Sequence, residues 1–577
     1  MAARPTTALW VSATLSLMPL IGITALAAAM RTADPQISLV DVAEESGVTL
    51  LNVSGSVSKD YIVELNGNGA AFLDYDNDDD LDLLLVNGST LDSLTQGGDP
   101  MVALYENDGQ GRFDDVTLGR SLDTRGWGMG VCAADYDNDG FLDLYITAFG
   151  PNVLYRGSPD GHFADVTAAA GVGDTQWGSN CAFGDYDRDG FVDLYVANYL
   201  TFDAEQVPKR GAGSGCRYMG LDVACGPIGL PGAPDTLYRN NGDGTFADVT
   251  GTAGVSGPEY YGFGVLFTDL DDDGWPDLYV ANDSEPNLLF HNNGDGTFTE
   301  DGLVAGASVS ATGREQASMG VDSGDYDGDG RLDLIVSHFS EDYHTLYENS
   351  AAGFFTDVSS AVGIARPSLP YLGWGVGFVD IDNDGWLDIF TANGHVVPDV
   401  DQLGLATTYQ QRSQLFRNQG NKRFTDVTEE VGGGLLIERT TRGAAFGDYD
   451  NDGDIDVLMV NLDDRPTLLR NDTLSDHHWV TLRLAGRESN RDGIGAKVTI
   501  EAGGRTQIAE VRSGGSYLSH NDMRVHVGIG DATQVDSVEI RWPSGQTETA
   551  ASLAADRFYV AREGQGIEPL GRTPRQP

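Results

Sequence analysis

Positive charge is scarce in this chain. Lys and Arg number 35 against 88 Asp and Glu, a formal net charge of −53 over 577 residues. A surface this acidic makes nucleic acid and anionic membrane poor partners. Histidines number nine and are scattered without a zinc spacing; His395 in NGHVVP reads as a hydrogen-bonded turn residue, not a base. The sequence has no G-x-S-x-G, no H-E-x-x-H and no P-loop. GWGMG and GWGVG are Gly-rich but lack a strand-turn-helix setting, so close packing of inner strands accounts for them better than a nucleotide does. Beyond residue 30 no apolar run is long enough to span a membrane.

What the chain has instead is aspartate in strict register. The pattern Asp-x-Asp-x-Asp-Gly-x-x-Asp recurs seven times. Positions 1, 3, 5 and 9 are Asp74, Asp76, Asp78 and Asp82; Asp135, Asp137, Asp139 and Asp143; Asp185, Asp187, Asp189 and Asp193; Asp269, Asp271, Asp273 and Asp277; Asp325, Asp327, Asp329 and Asp333; Asp380, Asp382, Asp384 and Asp388; Asp448, Asp450, Asp452 and Asp456. Four carboxylates in nine residues repel one another unless a cation neutralises them. Position 6 is Gly six times and Asp79 once, as a left-handed turn requires.

Position 7 holds Asp80, Phe141, Phe191, Trp275, Arg331, Trp386 and Asp454, so only its backbone carbonyl suits a ligand role. An all-oxygen, flexible donor set favours Ca²⁺ over Mg²⁺, about seven ions per chain. Seven Ca²⁺ leave a net charge of about −39, still strongly acidic. An EF-hand is rejected, because position 12 is an apolar residue or Thr391 instead of Glu, and the runs that follow, such as LDLLLVN and VDLYVAN, read as buried strands. The plain alternative is a set of Asp-rich hairpin turns without metal, which would need one or two Asp, not four at fixed spacing.

The loops recur at 50 to 84 residues, with a hairpin such as LYRNNGDGTFADVT downstream of each of the first six. Several short strands per unit at this period indicate propeller blades. The seventh unit stops at LLRND, and its missing half appears at the N-terminus, where ISLVDVAEESGV matches FTDVTEEVGG. A strand donated from the N-terminus would complete the last blade and supports seven blades. The expected fold is all-β: a seven-bladed β-propeller at residues 33–475 with an insert at 200–235, a small antiparallel β-domain at 476–563, and a flexible tail at 564–577.

Residues 1–32 have a charged start, an apolar centre and an Ala-x-Ala end, the pattern of a signal peptide or an uncleaved N-terminal anchor. Either places the protein outside the cytoplasm, secreted, extracellular or periplasmic. Cys216 and Cys225 are expected to close a short disulfide loop inside the insert. Cys132 and Cys181 precede their loops by three and four residues, a phase difference that points them to opposite strand faces and leaves their pairing open.

Thirteen residues after each loop start stand Asn87, Asn198, Asn282, His338, Asn393 and Asn461, with Ala148 the exception; Trp127, Trp177, Tyr261 and Trp374 stand on the preceding strands. Together they are a candidate ligand rim for a glycan or polar peptide. The competing account is that Asn closes the strand's turn and Trp packs between blades.

Segments such as AAFGDYD and CAFGDYD resemble the FG-GAP, VCBS-type repeats of integrin α-subunit propellers. HHWVTLRLAGRESNRDGIGAKVTI, VRSGGSYLSHNDMRVHVGIG and VEIRWPSGQTET are similar to an ASPIC/UnbV domain, and residues 37 to 560 as a whole look like the cartilage acidic protein family. That resemblance implies a secreted, calcium-binding protein with extracellular or matrix interactions and no established catalytic activity. Two functions stand: a calcium-stabilised binding or adhesion scaffold for an extracellular protein or glycan, and a propeller enzyme acting on extracellular polysaccharide. The Asp residues that an enzyme would need are already committed to the loops.

Overall fold

The computed structural model describes residues 36–212, 215–351 and 353–571. The expected signal or anchor at 1–32 lies outside the described residues. Each apolar run that leaves an Asp loop forms the second strand of a four-stranded antiparallel sheet. Asp193–Asn198 and Asp277–Asn282 are buried at every position, as parallel-looking continuous hydrophobic patterning demands when both faces are covered. Among the described residues, seven such sheets form from the repeats. In the seventh, Thr441–Gly447, Asp456–Asn461 and Thr467–Asn471 are joined by Leu39–Asp41, which pairs antiparallel with Thr467–Asn471 (Leu39 opposite Asn471).

The first strand of each sheet lies against the first strand of the next, and Thr441–Gly447 also lies against Ala70–Leu73 of the first sheet. The Gly of GWGMG and GWGVG serve this approach. A Cβ on Gly375 would sit 2.6 Å from the Cβ of Ala444, and one on Gly130 would sit 2.8 Å from the carbonyl oxygen of Ser179. Cys132 and Cys181 lie on the first strands of consecutive sheets and form a disulfide with Cα atoms 5.8 Å apart. Opposite faces within one sheet keep two side chains apart, but opposite faces of two stacked sheets meet. Cys216 and Cys225 are paired as expected.

A second set of repeat-wide contacts escaped the sequence reading. The third strands carry Asn107, Asn240, Asn292, Asn349, Asn418 and Asn471, each buried. In each, the side-chain N–H₂ reaches a carbonyl in the preceding sheet's Asp loop: Tyr449, Tyr136, Tyr186, Leu270, Tyr326 and Ile381 respectively, at 2.7–2.9 Å. The second repeat has Gly157 instead. Each amide thus satisfies a buried carbonyl that no ladder reaches.

The C-terminal region departs from expectation in two ways. It forms two four-stranded sheets, and in one of them His478–Ala485 pairs parallel with Arg557–Arg562. Parallel pairing needs a long crossover, which the intervening second sheet supplies. Gly566–Pro569 pairs antiparallel with Arg557–Arg562, so the stretch assigned to a flexible tail continues the sheet at least to that point. Residues 511–523 leave these sheets and run among the first strands of the repeats. The Leu518 carbonyl accepts from Val131 N–H, His520 N–H donates to Ala70, and Ser516 exchanges both backbone bonds with Val321. Tyr517 and Leu518 are fully buried.

Replacing Asn292 by Ala strands the Tyr186 and Pro276 carbonyls. The expected loss is about 2 kcal/mol in urea unfolding, whereas Asn293→Ala, on the exposed turn beside it, shifts stability by under about 0.5 kcal/mol.

Candidate metal centres

The loop geometry is set by its own carboxylates. Position 1 turns the chain by accepting the position 6 N–H in all seven copies, at 2.7–3.1 Å. Position 5 accepts the position 7 N–H at 2.8–3.1 Å. Position 9 ties the loop to the third strand: Asp82 takes the Asn107 N–H at 2.8 Å on one oxygen and the Tyr75 N–H at 3.4 Å on the other, and the other six copies repeat both bonds. Asp79 adopts φ +69°, the conformation Gly supplies elsewhere.

Position 3 is what these bonds leave over. One oxygen each of Asp76, Asp137 and Asp187 is buried without a hydrogen-bond partner. Donor atoms of positions 1, 3 and 9 lie within 4.8 Å of one another in the loops beginning at Asp74, Asp135, Asp185 and Asp325. A buried, unpaired carboxylate oxygen aimed at two more carboxylates is a poor arrangement for a metal-free protein and a good one for a hard cation, so the donor set fits the ion that the sequence implies. Three position 7 side chains point elsewhere, Phe191 packing at Gly242, Trp275 at Gly294 and Trp386 at Gly420, while Arg331 donates to the Asn349 carbonyl and pairs with Asp329 of its own loop.

The structure also qualifies the charge argument. Basic side chains from neighbouring strands lean into several loops. Arg156 meets Asp137 and Asp139 at 2.6 and 2.7 Å, Arg417 meets Asp382 at 2.7 Å, and Lys422 pairs with Asp327. His291 stands 3.2 Å from Asp277 and 3.5 Å from Asp271, and Asp277 holds its imidazole up at about 9. The available signal was the residue before the third-strand Asn or Gly157, as in LYRG, LFHN and LFRN. Burial, then repulsion from neighbouring carboxylates, raises Asp74 and Asp185 to about 7; burial and Asp492 do the same to Asp135.

The C-terminal region lies over these loops. Arg483 pairs with Asp79 at 2.9 Å, Arg541 with Asp269 at 2.5 Å, and Arg524 donates to the Asp448 carbonyl at 2.7 Å. Asp492 accepts the Asp135 N–H at 2.7 Å.

The candidate ligand rim is corrected. Trp127, Trp177, Tyr261 and Trp374 are at most 7% exposed and share one core cluster with Tyr517, Leu518 and, from the insert, Val207 and Cys225. Asn87, Asn198, Asn282, His338, Asn393 and Asn461 are also buried. The Asn amides donate to carbonyls just ahead of the third strand, for example Asn282 to Pro286 at 2.9 Å and Asn461 to Arg465 at 2.8 Å. The amides close turns and the rings fill space beneath the insert, so neither set presents a rim to solvent.

The FG-GAP-like repeat model matches residues 74–146, 142–196, 221–280, 269–336, 325–391 and 400–459, more than half of the chain, and the ASPIC and UnbV model matches residues 486–568. The chain belongs to the FG-GAP-like repeat family and carries an ASPIC and UnbV region at its C-terminal end. It is homologous to cartilage acidic protein 1: 28% identical to that of Homo sapiens over 59% of this chain and 50% of the relative, and 27% identical to that of Mus musculus over 57% and 49%. The chain thus spans about half the length of the curated relatives it matches. Similar solved structures are an Agrocybe aegerita lectin that recognises non-reducing terminal N-acetylglucosamine (TM-score 0.37, 14% identity, 65% of this chain and 88% of that one) and BBS1N in complex with ARL6DN (TM-score 0.36, 8% identity, 76% and 97%).

The raised carboxylates fix the sign of a pH effect. Asp74, Asp135 and Asp185 hold protons up to about pH 7 when folded without metal, against about 3.9 when unfolded. The folded chain therefore binds more protons across that window, and this contribution to stability falls as pH rises through it. Ca²⁺ needs the same groups ionised. Thermal melts of metal-stripped protein should show a larger Ca²⁺-induced rise in Tm at about pH 7.5 than at about pH 5.

Proposed function

We propose that the repeats close into a seven-bladed propeller whose loops hold Ca²⁺, about seven ions per chain, and that the protein is a secreted, non-enzymatic scaffold that binds an extracellular protein or glycan. The observation that carries the calcium reading is the buried, unpartnered position 3 oxygen of Asp76, Asp137 and Asp187. Ring closure is supported by the contact of the seventh sheet with the first and by the N-terminal strand in the seventh sheet. Seven-fold closure leaves only short outer strands as sheet edges.

Export is supported by the two disulfides, which persist in oxidising compartments, and by the signal-like N-terminus. Among the described residues, no helix is long and apolar enough to cross a membrane. Millimolar Ca²⁺ outside the cell would keep sites of modest affinity filled. The loops serve as structural clamps in this reading: each fixes the hairpin between first and second strands, and the same surface receives the C-terminal region. Ligand binding then belongs to the outer surface of the ring, because the aromatic and amide residues of its interior are covered.

Metal analysis of dialysed protein should find Ca²⁺ at several ions per chain, and chelation should lower Tm. Asp187→Asn should remove one ion and leave the other sites loaded, since repeats couple mainly to neighbours. A Ca²⁺ content near zero together with an unchanged melt in chelator would sink the calcium reading. A glycan and protein binding array run beside a product-release assay tests the scaffold reading, and turnover abolished by a surface mutation that leaves Ca²⁺ content intact would replace it with an enzyme.

A further inference from the structure

The fourth loop is built from different donors than its sisters. In every repeat the residue before the third-strand Asn, or before Gly157, stands beside the loop. Arg156, Arg239, Arg417 and Arg470 occupy that position in four repeats and have no electron pair to give a metal. Glu106 and Glu348 occupy it in two more, and both are engaged as acceptors, from the hydroxyls of Tyr75 and Tyr326. The fourth repeat alone has an imidazole, His291. Its Nδ1 stands 3.5 Å from Asp271 and 3.2 Å from Asp277, and donor atoms of Asp271, Asp273 and His291 lie within 4.8 Å of one another.

The position 1 carboxylate of the same loop is also engaged by a cation from outside it. Asp269, its position 1 carboxylate, is paired with Arg541 of the C-terminal region at 2.5 Å. Arg541 and Lys497 both meet Asp272, at 3.0 Å each, so two cations already offset the charge of this loop. No other position 1 Asp has an ion pair of this kind among the described residues. Six to eight oxygens suit Ca²⁺, whereas three or four donors that include an imidazole suit a smaller, softer ion.

We propose that Asp271, Asp273 and His291 form a mixed nitrogen–oxygen site for a divalent first-row transition ion of the zinc class, in place of the Ca²⁺ of the sister loops. Asp277 is the fourth donor within reach. The inference rests on reading the loops as cation sites. It makes the fourth repeat chemically distinct, since imidazole and carboxylate are both among the ligands that bind Zn²⁺.

The test uses the untagged full chain, stripped of metal and equilibrated with micromolar Zn²⁺ in the presence of about 1 mM Ca²⁺. Metal analysis should find one Zn²⁺ per chain, and Co²⁺ in its place should show ligand-field bands in the visible. His291→Ala should weaken that ion by at least about tenfold and leave the Ca²⁺ content unchanged. His291→Glu should convert the loop to oxygen ligation, losing Zn²⁺ and gaining one Ca²⁺. If no Zn²⁺ is retained, or if His291→Ala retains it as wild type does, the proposal is overturned and His291 is an ion-paired cation only. His291-dependent Zn²⁺ in a chain that binds no Ca²⁺ would uphold this site while removing the calcium reading of the others.

Discussion

Carboxylates crowded between buried strands set the terms for everything else in this molecule. Asp82, Asp143 and Asp193 are at most 1% exposed, and burial pushes all three well above the usual carboxylate range. Such groups are tolerable only if the chain supplies donors and positive charge where water cannot. The loops supply backbone N–H groups to positions 1, 5 and 9. Neighbouring strands supply Arg156, Arg417, Lys422 and His291. The C-terminal region supplies Arg483, Arg505, Arg524 and Arg541, with Arg505 stacked 4.2 Å over Trp386. The basic residues of that region thus find their partners in the acidic loops it packs against.

Sheet-to-sheet cohesion follows from the same loops. The third-strand Asn residues bond to carbonyls inside the preceding loop, so the conformation of one loop is felt by the next sheet. The Cys132–Cys181 disulfide ties the second sheet to the third, and the segment 511–523 bonds to first strands of the first, second, fifth and seventh sheets. One core cluster runs from the second and third repeats into the C-terminal sheets, from Cys132 and Tyr145 to Val538 and Trp542. Repeats that alone could bury only one face acquire their second face from a neighbour.

Much of this was legible in the sequence. The Asp register, the buried strand after each loop, the downstream hairpin and the N-terminal strand of the seventh sheet all depend on spacing within a few tens of residues or on a repeat that names its own missing part. The Cys216–Cys225 bond was legible for the same reason. The candidate rim was not: Trp127 and Asn282 recur because the repeat needs them, and a covered aromatic has the same sequence as an exposed one. Whether a ring faces solvent depends on what lies over it, here the insert and Tyr517. The third-strand Asn residues were in plain view in LYRN and LFHN, but their role was not, because their partners lie in another repeat.

Loop chemistry, the all-β class and the repeat follow from local sequence, since four carboxylates at fixed spacing and an apolar run of strand length constrain the backbone nearby. Tertiary structure alone decided that Cys132 meets Cys181, that His478–Ala485 runs parallel to Arg557–Arg562, that Arg541 takes Asp269, and that His291 enters the fourth loop. These are contacts between chain segments whose meeting depends on how whole sheets stack, and stacking is set by the summed burial of many side chains, not by any local pattern.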